Sequence, residues 1–459
     1  MTGSAFWHPF ADMSAVAGHD FVLASGDGAH VYDTSGRRYL DATAGLWFCN
    51  IGHGRAELGQ AAARQMTTLA SYSNFGDLTT APTLALADRL AALSGLPGAK
   101  VFFTSGGSDA VDTAVKMVRR YWALLDQPER TTIITRTRSY HGMHVAGTAL
   151  AGITANRDGY GELDLGVRNC AWDQVEDLAR VIAECGPERV AAFFCEPIIG
   201  AGGVYAPPEG YLQAARDLCR EHGILFVADE VITGYGRTGA MFGSLRWDLQ
   251  PDLLLTAKGL TSGYLPMGAV IVAANVAEPF WTRPGLVWRH GYTYSGHATA
   301  AVVAMANLDI IEGEHLVERV AEHQLAMAAE LMPLTQHDLV HTVRAGVGLL
   351  AAVQLEPEAL AQRPDLGLVL VKHVRERGVI TRMLADGSVQ ISPPFVVTRE
   401  DMRTIASAID EALVEVGSTR APGTILDVDL LPEQTSDDAG GFDSTDERLR
   451  AEVPPHHVA

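Results

Sequence analysis

Short apolar runs alternate with stretches in which apolar residues recur every three or four positions, most regularly between residues 61 and 315. Runs at 100–104, 132–135, 190–195, 224–228, 253–256 and 269–273 predict buried strands, and the patterns at 109–125 and 210–222 predict amphipathic helices between them. Strands without a polar face, separated by helices, predict an α/β fold with a mostly parallel sheet covered on both sides. Residues 1–60 hold shorter runs broken by turns, such as 29–33 before Ser35-Gly36-Arg37, and read as a peripheral segment with a small hairpin that joins the smaller domain. From 316 to 417, helical stretches at 316–331 and 366–377 flank strand candidates at 348–354 and 389–392, the pattern of a smaller α+β domain. Residues 418–459 are rich in Asp, Glu, Ser, Pro and Gly, which predicts a disordered tail.

Composition narrows the function classes. A chain of 459 residues, 47% of them hydrophobic, can bury a large core and exceeds the usual size of one domain. A formal net charge of -20 opposes nonspecific binding to nucleic acid or anionic membranes. Residues 1–10 lack the basic and apolar regions of a signal peptide, and the stretch 265–276 is too short to span a bilayer, so the expected location is the cytoplasm. The five cysteines, Cys49, Cys170, Cys185, Cys195 and Cys219, are odd in number and lack Cys-x-x-Cys spacing; they read as reduced thiols rather than disulfides or zinc ligands.

Candidate chemistry sits where two of the apolar runs end. The run at 224–228 leads into Asp229-Glu230, and the run at 253–256 delivers Lys258. If both are parallel strands, a carboxylate and an amine meet at the carboxyl edge of one sheet. A desolvated lysine forms a Schiff base with an aldehyde, and an aspartate can keep a pyridine nitrogen protonated, so the pair points to pyridoxal 5'-phosphate. The loop Ser105-Gly-Gly-Ser-Asp-Ala110, between a strand and a helix, offers backbone amides and a hydroxyl for the phosphate, although Ser108 or Asp109 could equally serve as a helix cap.

Other readings of these residues are weaker. An apolar run before Asp-Glu also describes a Walker B strand, but the chain has no Gly-x-x-x-x-Gly-Lys-Ser/Thr loop. Gly234-Tyr-Gly236-Arg-Thr-Gly239 has dinucleotide-fingerprint spacing, yet 242–251 does not read as the helix that motif needs. An ordinary solvated pair of Asp229 and Lys258 conflicts with burial of both preceding strands. His141 and His144 form a His-x-x-His pair, but no further ligand is spaced nearby, so no metal is expected.

The ordered set Ser105-Gly-Gly-Ser-Asp-Ala110, Tyr140-His-Gly142, Glu196-Pro197, Ala228-Asp-Glu-Val231, Gly234-Tyr-Gly-Arg-Thr-Gly239, Ala257-Lys-Gly259 and Tyr292-Thr-Tyr-Ser-Gly-His297 resembles the class III (omega) aminotransferases. The likeness is greatest to the beta-alanine:pyruvate and amine:pyruvate type and runs from about Trp7 to Gly417. It implies pyridoxal phosphate fold type I, the aspartate aminotransferase-like architecture. It also implies that Lys258 carries the cofactor and shuttles a proton, that Asp229 pairs with the pyridine nitrogen, that Tyr140 and Val231 flank the ring, and that Gly107 and Ser108 hold the phosphate. His141 and Glu196 fall in motifs at the cofactor site. Thr293 is implied to reach the cofactor phosphate of a second copy, which makes the protein a homodimer with shared active sites.

For the substrate pocket the resemblance implies Phe10, Trp47 and Tyr140, with Arg382 binding a substrate carboxylate or standing aside for an uncharged side chain. Taken singly, the aromatics could be ordinary core and Arg382 a surface arginine. Ala201 stands where ornithine and 4-aminobutyrate transaminases carry a glutamate, Ala155 where some relatives have a tyrosine, and the phosphate loop departs from Asn-Ser-Gly-Ser-Glu-Ala. The implied reaction moves an amino group from an amine or omega-amino acid to a keto acid such as pyruvate by ping-pong chemistry. A relative with aminomutase, decarboxylase or lyase outcome is the alternative; a cofactor-binding homologue without turnover is opposed by the intact Lys258, Asp229 and Tyr140.

Overall fold

A computed structural model describes residues 4–163 and 165–418. Its centre is a seven-stranded sheet in the spatial order Lys100–Thr104, Gly268–Val272, Leu253–Thr256, Leu225–Asp229, Val190–Cys195, Thr132–Arg136, Val167–Cys170. All neighbours are parallel except that Gly268–Val272 runs antiparallel to both strands beside it. The alternation of side chains across the pleat explains why the strands are apolar on both faces. Phe194 and Val227 pack with Val111, Val115 and Trp122 of helix Gly107–Leu124, whereas their neighbours Phe193 and Phe226 pack with Leu178, Ile182, Leu212 and Cys219 from helices Val175–Cys185 and Tyr211–Glu221.

The six strands expected in the large sheet form within a residue or two of their apolar runs. Val167–Cys170 was not expected: it is a sheet edge whose Arg168 and Asn169 are exposed, so no apolar run marks it. Helix Gly107–Leu124 starts two residues earlier than its pattern suggested, which brings Gly107 and Ser108 into its first turn.

The N-terminal residues form a sheet with the C-terminal part of the chain. Strands Leu23–Asp27, His30–Asp33 and Arg38–Asp41 are antiparallel neighbours, and Leu40 and Asp41 pair in parallel with Val379 and Ile380. The hairpin is therefore present, but the segment is not peripheral. Ala42, Ala44, Trp47, Cys49 and Ile51 are buried, because the chain after Asp41 turns into the body of the protein. A third sheet, Val340–Arg344, Ala351–Leu355 and Ser388–Ile391, packs with helices Leu316–Leu331, Leu366–Glu376 and Arg399–Ser418. The expected tail lies outside the described residues after Ser418. No described helix is long and apolar enough to cross a membrane, and all five cysteines are free.

Buried Arg237 joins three of these segments. Its guanidinium donates to the carbonyls of Leu349, Ser392 and Pro393 and to Asn50 Oδ1, while desolvation pushes its pKa down to about 9. The motif Gly234 to Gly239 is thus a structural turn. Its base is Glu230, whose carboxylate accepts hydrogen bonds from Thr233 Oγ1, the Gly243 amide and both the amide and hydroxyl of Ser244.

Candidate active site

The registers of the central strands put Asp229 opposite Leu255, so Asp229 and the chain leading to Lys258 leave the sheet at the same edge. Asp229 is 5% exposed. Its Oδ2 lies 2.8 Å from His141 Nδ1, and its Oδ1 accepts the Val231 amide at 3.1 Å. His141 is buried and has its other nitrogen 3.1 Å from Thr135 Oγ1. A carboxylate can only accept here, so Nδ1–H is the donor and the bond fixes the orientation of the imidazole.

Glu196 leaves the end of Val190–Cys195 and performs a different task. Its two carboxylate oxygens accept the amides of Tyr140 and Gly200, each at 3.0 Å, which pins the Tyr140 loop against the sheet edge. Burial pushes its pKa up despite these bonds.

The start of helix Gly107–Leu124 lies next to this loop. Ser108 Oγ accepts the Met143 amide at 3.1 Å, Gly142 has φ +87, and a Cβ on Gly142 would collide with Ser108. A Cβ on Gly107 would come within 3.0 Å of Val231. Both positions therefore depend on glycine for close approach. The 18-residue helix directs unpaired amides and the positive end of its dipole at the same space, which suits a phosphate.

Lys258 follows Leu253–Thr256 in a left-handed backbone conformation, φ +39. It lines one cavity with Gly107, Ser108, Tyr140, His141, Gly142, Glu196, Asp229 and Val231, together with Val111 and Ile232, which the sequence did not single out. The cavity thus brings together a helix start, a buried carboxylate, apolar side chains and a primary amine.

Trp47 adjoins that group. Its ring centroid is 5.6 Å from Lys258 Nζ and 4.7 Å from the guanidinium carbon of Arg382. The turn that presents it has positive φ at Ala44, Gly45 and Trp47. Asp41 stabilises this turn by accepting from the Thr43 amide and hydroxyl (3.0 and 2.8 Å) and the Gly45 amide (2.7 Å), with His53 Nε2 at 2.9 Å. No sequence motif announced Asp41; only its place just before Gly45-Leu-Trp47 hints at the role.

The remaining expected residues are dispersed. Phe10 is half-buried in the N-terminal segment and does not line the cavity. Thr293 is exposed, beyond Tyr292, whose hydroxyl donates to the Asp109 carbonyl at 3.1 Å. His141 and His144 separate: His144 is largely exposed and 3.4 Å from Asp109, and no metal-ligand cluster occurs among the described residues. Ala201 is buried in the cluster that contains Trp47, and Ala155 is half-buried.

Comparison with known proteins places these features in a family. The aminotransferase class-III profile matches residues 13–413. The chain is 39% identical to the putrescine–pyruvate aminotransferase of Pseudomonas aeruginosa over 398 residues, 82% of this chain and 86% of that protein. It is 34% identical to the omega-amino acid–pyruvate aminotransferase of Pseudomonas putida over 436 residues, 89% of this chain and 95% of that one. Among solved structures, a pyridoxal phosphate-bound amine transaminase from an uncultivated Pseudomonas species superposes with a TM-score of 0.86 at 35% identity, covering 91% of this chain and all of that one (100%). An (S)-enantioselective omega-transaminase from Thermomicrobium roseum gives a TM-score of 0.85 at 38% identity, covering 89% and 96%. With its fold, the ends of its central strands and almost its whole described length accounted for, the chain belongs to the class III aminotransferases.

Proposed function

We propose that the cavity binds pyridoxal 5'-phosphate and that the enzyme moves an amino group from an amine or omega-amino acid to a keto acid such as pyruvate. The observation that carries this reading is the convergence of Lys258, Asp229 and the Gly107-Ser108 helix start on one cavity. The putrescine–pyruvate and omega-amino acid–pyruvate relatives support the substrate classes.

When bound, this cofactor supplies a protonated aromatic ring that withdraws electrons from the substrate carbon bearing the nitrogen. Gly107 and Ser108 hold its phosphate, Tyr140 and Val231 confine the ring, and Asp229, oriented by His141, favours the proton on the ring nitrogen. Lys258 supplies the amine that anchors the cofactor and then moves a proton at the substrate carbon. Trp47 walls the substrate side, and Arg382, stacked on it, binds the carboxylate of a keto acid.

The same reading makes the enzyme a homodimer in which Thr293 serves the second copy's phosphate site. Exposed Tyr72, Phe75, Leu78 and Tyr294 support it. Asn74 donates to the Ser295 carbonyl at 2.7 Å, so the segment carrying Tyr72, Phe75 and Leu78 meets the one carrying Thr293 and Tyr294. Residues 61–315 act as the large cofactor-binding domain, and 316–417 with 1–60 as the small one, an arrangement supported by the pairing of Leu40 with Val379.

The deciding experiment is absorbance of the bound cofactor. Addition of an amine donor should convert the spectrum, and pyruvate should restore it. Conversion without recovery, with loss of carbon dioxide or ammonia, would favour the decarboxylase or lyase alternative.

A further inference from the structure

Arg382 has an unusual partner. Its Nε lies 2.7 Å from Oε1 of Gln390, a fully buried residue in strand Ser388–Ile391. A guanidinium can only donate, so the amide oxygen must face Arg382, and the amide nitrogen turns to Ser392 Oγ at 2.6 Å. The Gln390 amide also donates to the Arg382 carbonyl at 2.9 Å, which sets the two residues face to face across the turn. The carboxylate of that turn, Asp386, is committed elsewhere: it lies 2.5 Å from Arg344 and accepts the Tyr205 hydroxyl at 2.8 Å. Arg382 forms no ion pair with any described residue.

We propose that Gln390 is a positioning residue that parks Arg382. It grips the Nε edge and holds the guanidinium against Trp47, leaving the Nη1 and Nη2 edge for an end-on pair with a substrate carboxylate. The choice of a neutral acceptor is the essential point. A carboxylate at 390 would neutralise the guanidinium and compete with every acidic substrate, whereas an amide orients it and leaves its charge unspent. For a substrate without a carboxylate, the stacked and hydrogen-bonded guanidinium is already satisfied along one edge and one face, so the pocket accepts both partners of a transamination. Asp386, by holding Arg344 and Tyr205, fixes the turn on which this pairing depends.

This inference rests on the reading that Arg382 binds the substrate carboxylate, and the test separates the two. In the holoenzyme, Gln390→Met, Gln390→Glu and Arg382→Ala are compared by calorimetric titration with propionate, an unreactive carboxylate, and by half-reactions with pyruvate and with a carboxylate-free amine that the parent converts. Gln390→Met keeps the volume and removes the acceptor. It should raise the propionate Kd and the pyruvate KM about tenfold, leaving the maximal rate and the amine half-reaction within about twofold, because ordering one long side chain is worth roughly that factor. Gln390→Glu should weaken propionate further at neutral pH and recover as the new carboxylate is protonated. Propionate binding unchanged in both Gln390 variants but lost in Arg382→Ala would overturn the role of Gln390 alone. Propionate binding intact in Arg382→Ala would overturn the carboxylate role of Arg382 and this inference with it.

Discussion

His141 Nδ1 stands 2.8 Å from Asp229 Oδ2, with both residues buried. The imidazole restricts the carboxylate to one orientation and occupies one oxygen, so the charge of Asp229 faces the cavity in a defined direction. Asp229→Asn removes that charge with little change in shape. Turnover should fall by on the order of 100-fold or more while cofactor binding weakens far less, since a preorganised charge acts chiefly on the reacting state. Steady-state kinetics beside the absorbance of retained cofactor would check this, and unchanged kinetics would remove Asp229 from the mechanism.

Lys258→Ala should abolish turnover, by on the order of 10⁴-fold or more, yet still bind cofactor through the Gly107-Ser108 helix start and the Asp229 side of the cavity. The measurement is single-turnover activity together with cofactor retained after dialysis. An active variant would refute the assignment of the amine.

Arg382→Ala should slow the half-reaction with pyruvate by about 30-fold to 1000-fold, the equivalent of about 2 to 4 kcal/mol for losing a charge-assisted pair in a partly dry pocket. A carboxylate-free amine should be affected much less. Equal losses for both substrates would mean that Arg382 serves the fold instead.

A pH effect arises at His290. Burial, and then the Lys116 ammonium 2.8 Å from its Nδ1, push His290 down to about 4. An unfolded histidine titrates near 6.5, so between those values the unfolded chain takes up a proton that the native protein refuses. His290 therefore contributes stability that is present above about pH 6.5 and is lost as pH falls toward 4. His290→Gln cannot titrate and should lower the melting temperature less steeply over that window than the parent; identical slopes would show that His290 carries no such linkage.

The legible part of the site was the part encoded locally. Asp229 and Lys258 each sit just beyond one strand, and Gly107-Ser108 sit at one helix start, so an apolar run and the next few residues sufficed to find them. Gly268–Val272 illustrates what periodicity omits: its five buried residues mark a strand but not its antiparallel direction. Arg168 and Asn169 hid an edge strand by being polar. Trp47 was reached only through the family resemblance: the turn that presents it is held by Asp41, and Leu40 beside Asp41 pairs with Val379 from the far end of the chain. Gln390 had no signal of its own, because an alternating strand position becomes meaningful only once its partner across the turn is known.

The pairing of the N-terminal segment with the C-terminal part has a consequence for biosynthesis. The Ser392 hydroxyl donates to the Thr43 carbonyl across a separation of 349 residues, and the Ser392 amide donates to the Ala42 carbonyl at 2.7 Å. During translation the large sheet can assemble when Gly268–Val272 has left the ribosome, but the Trp47 turn must wait until strand Ser388–Ile391 follows it. For that interval the nascent chain exposes an apolar wall made of Ala42, Ala44 and Trp47 next to an otherwise complete sheet edge. Slow synthesis or a premature stop before residue 390 would prolong the exposure, making aggregation, rather than release of a partly active enzyme, the expected fate of a truncated chain.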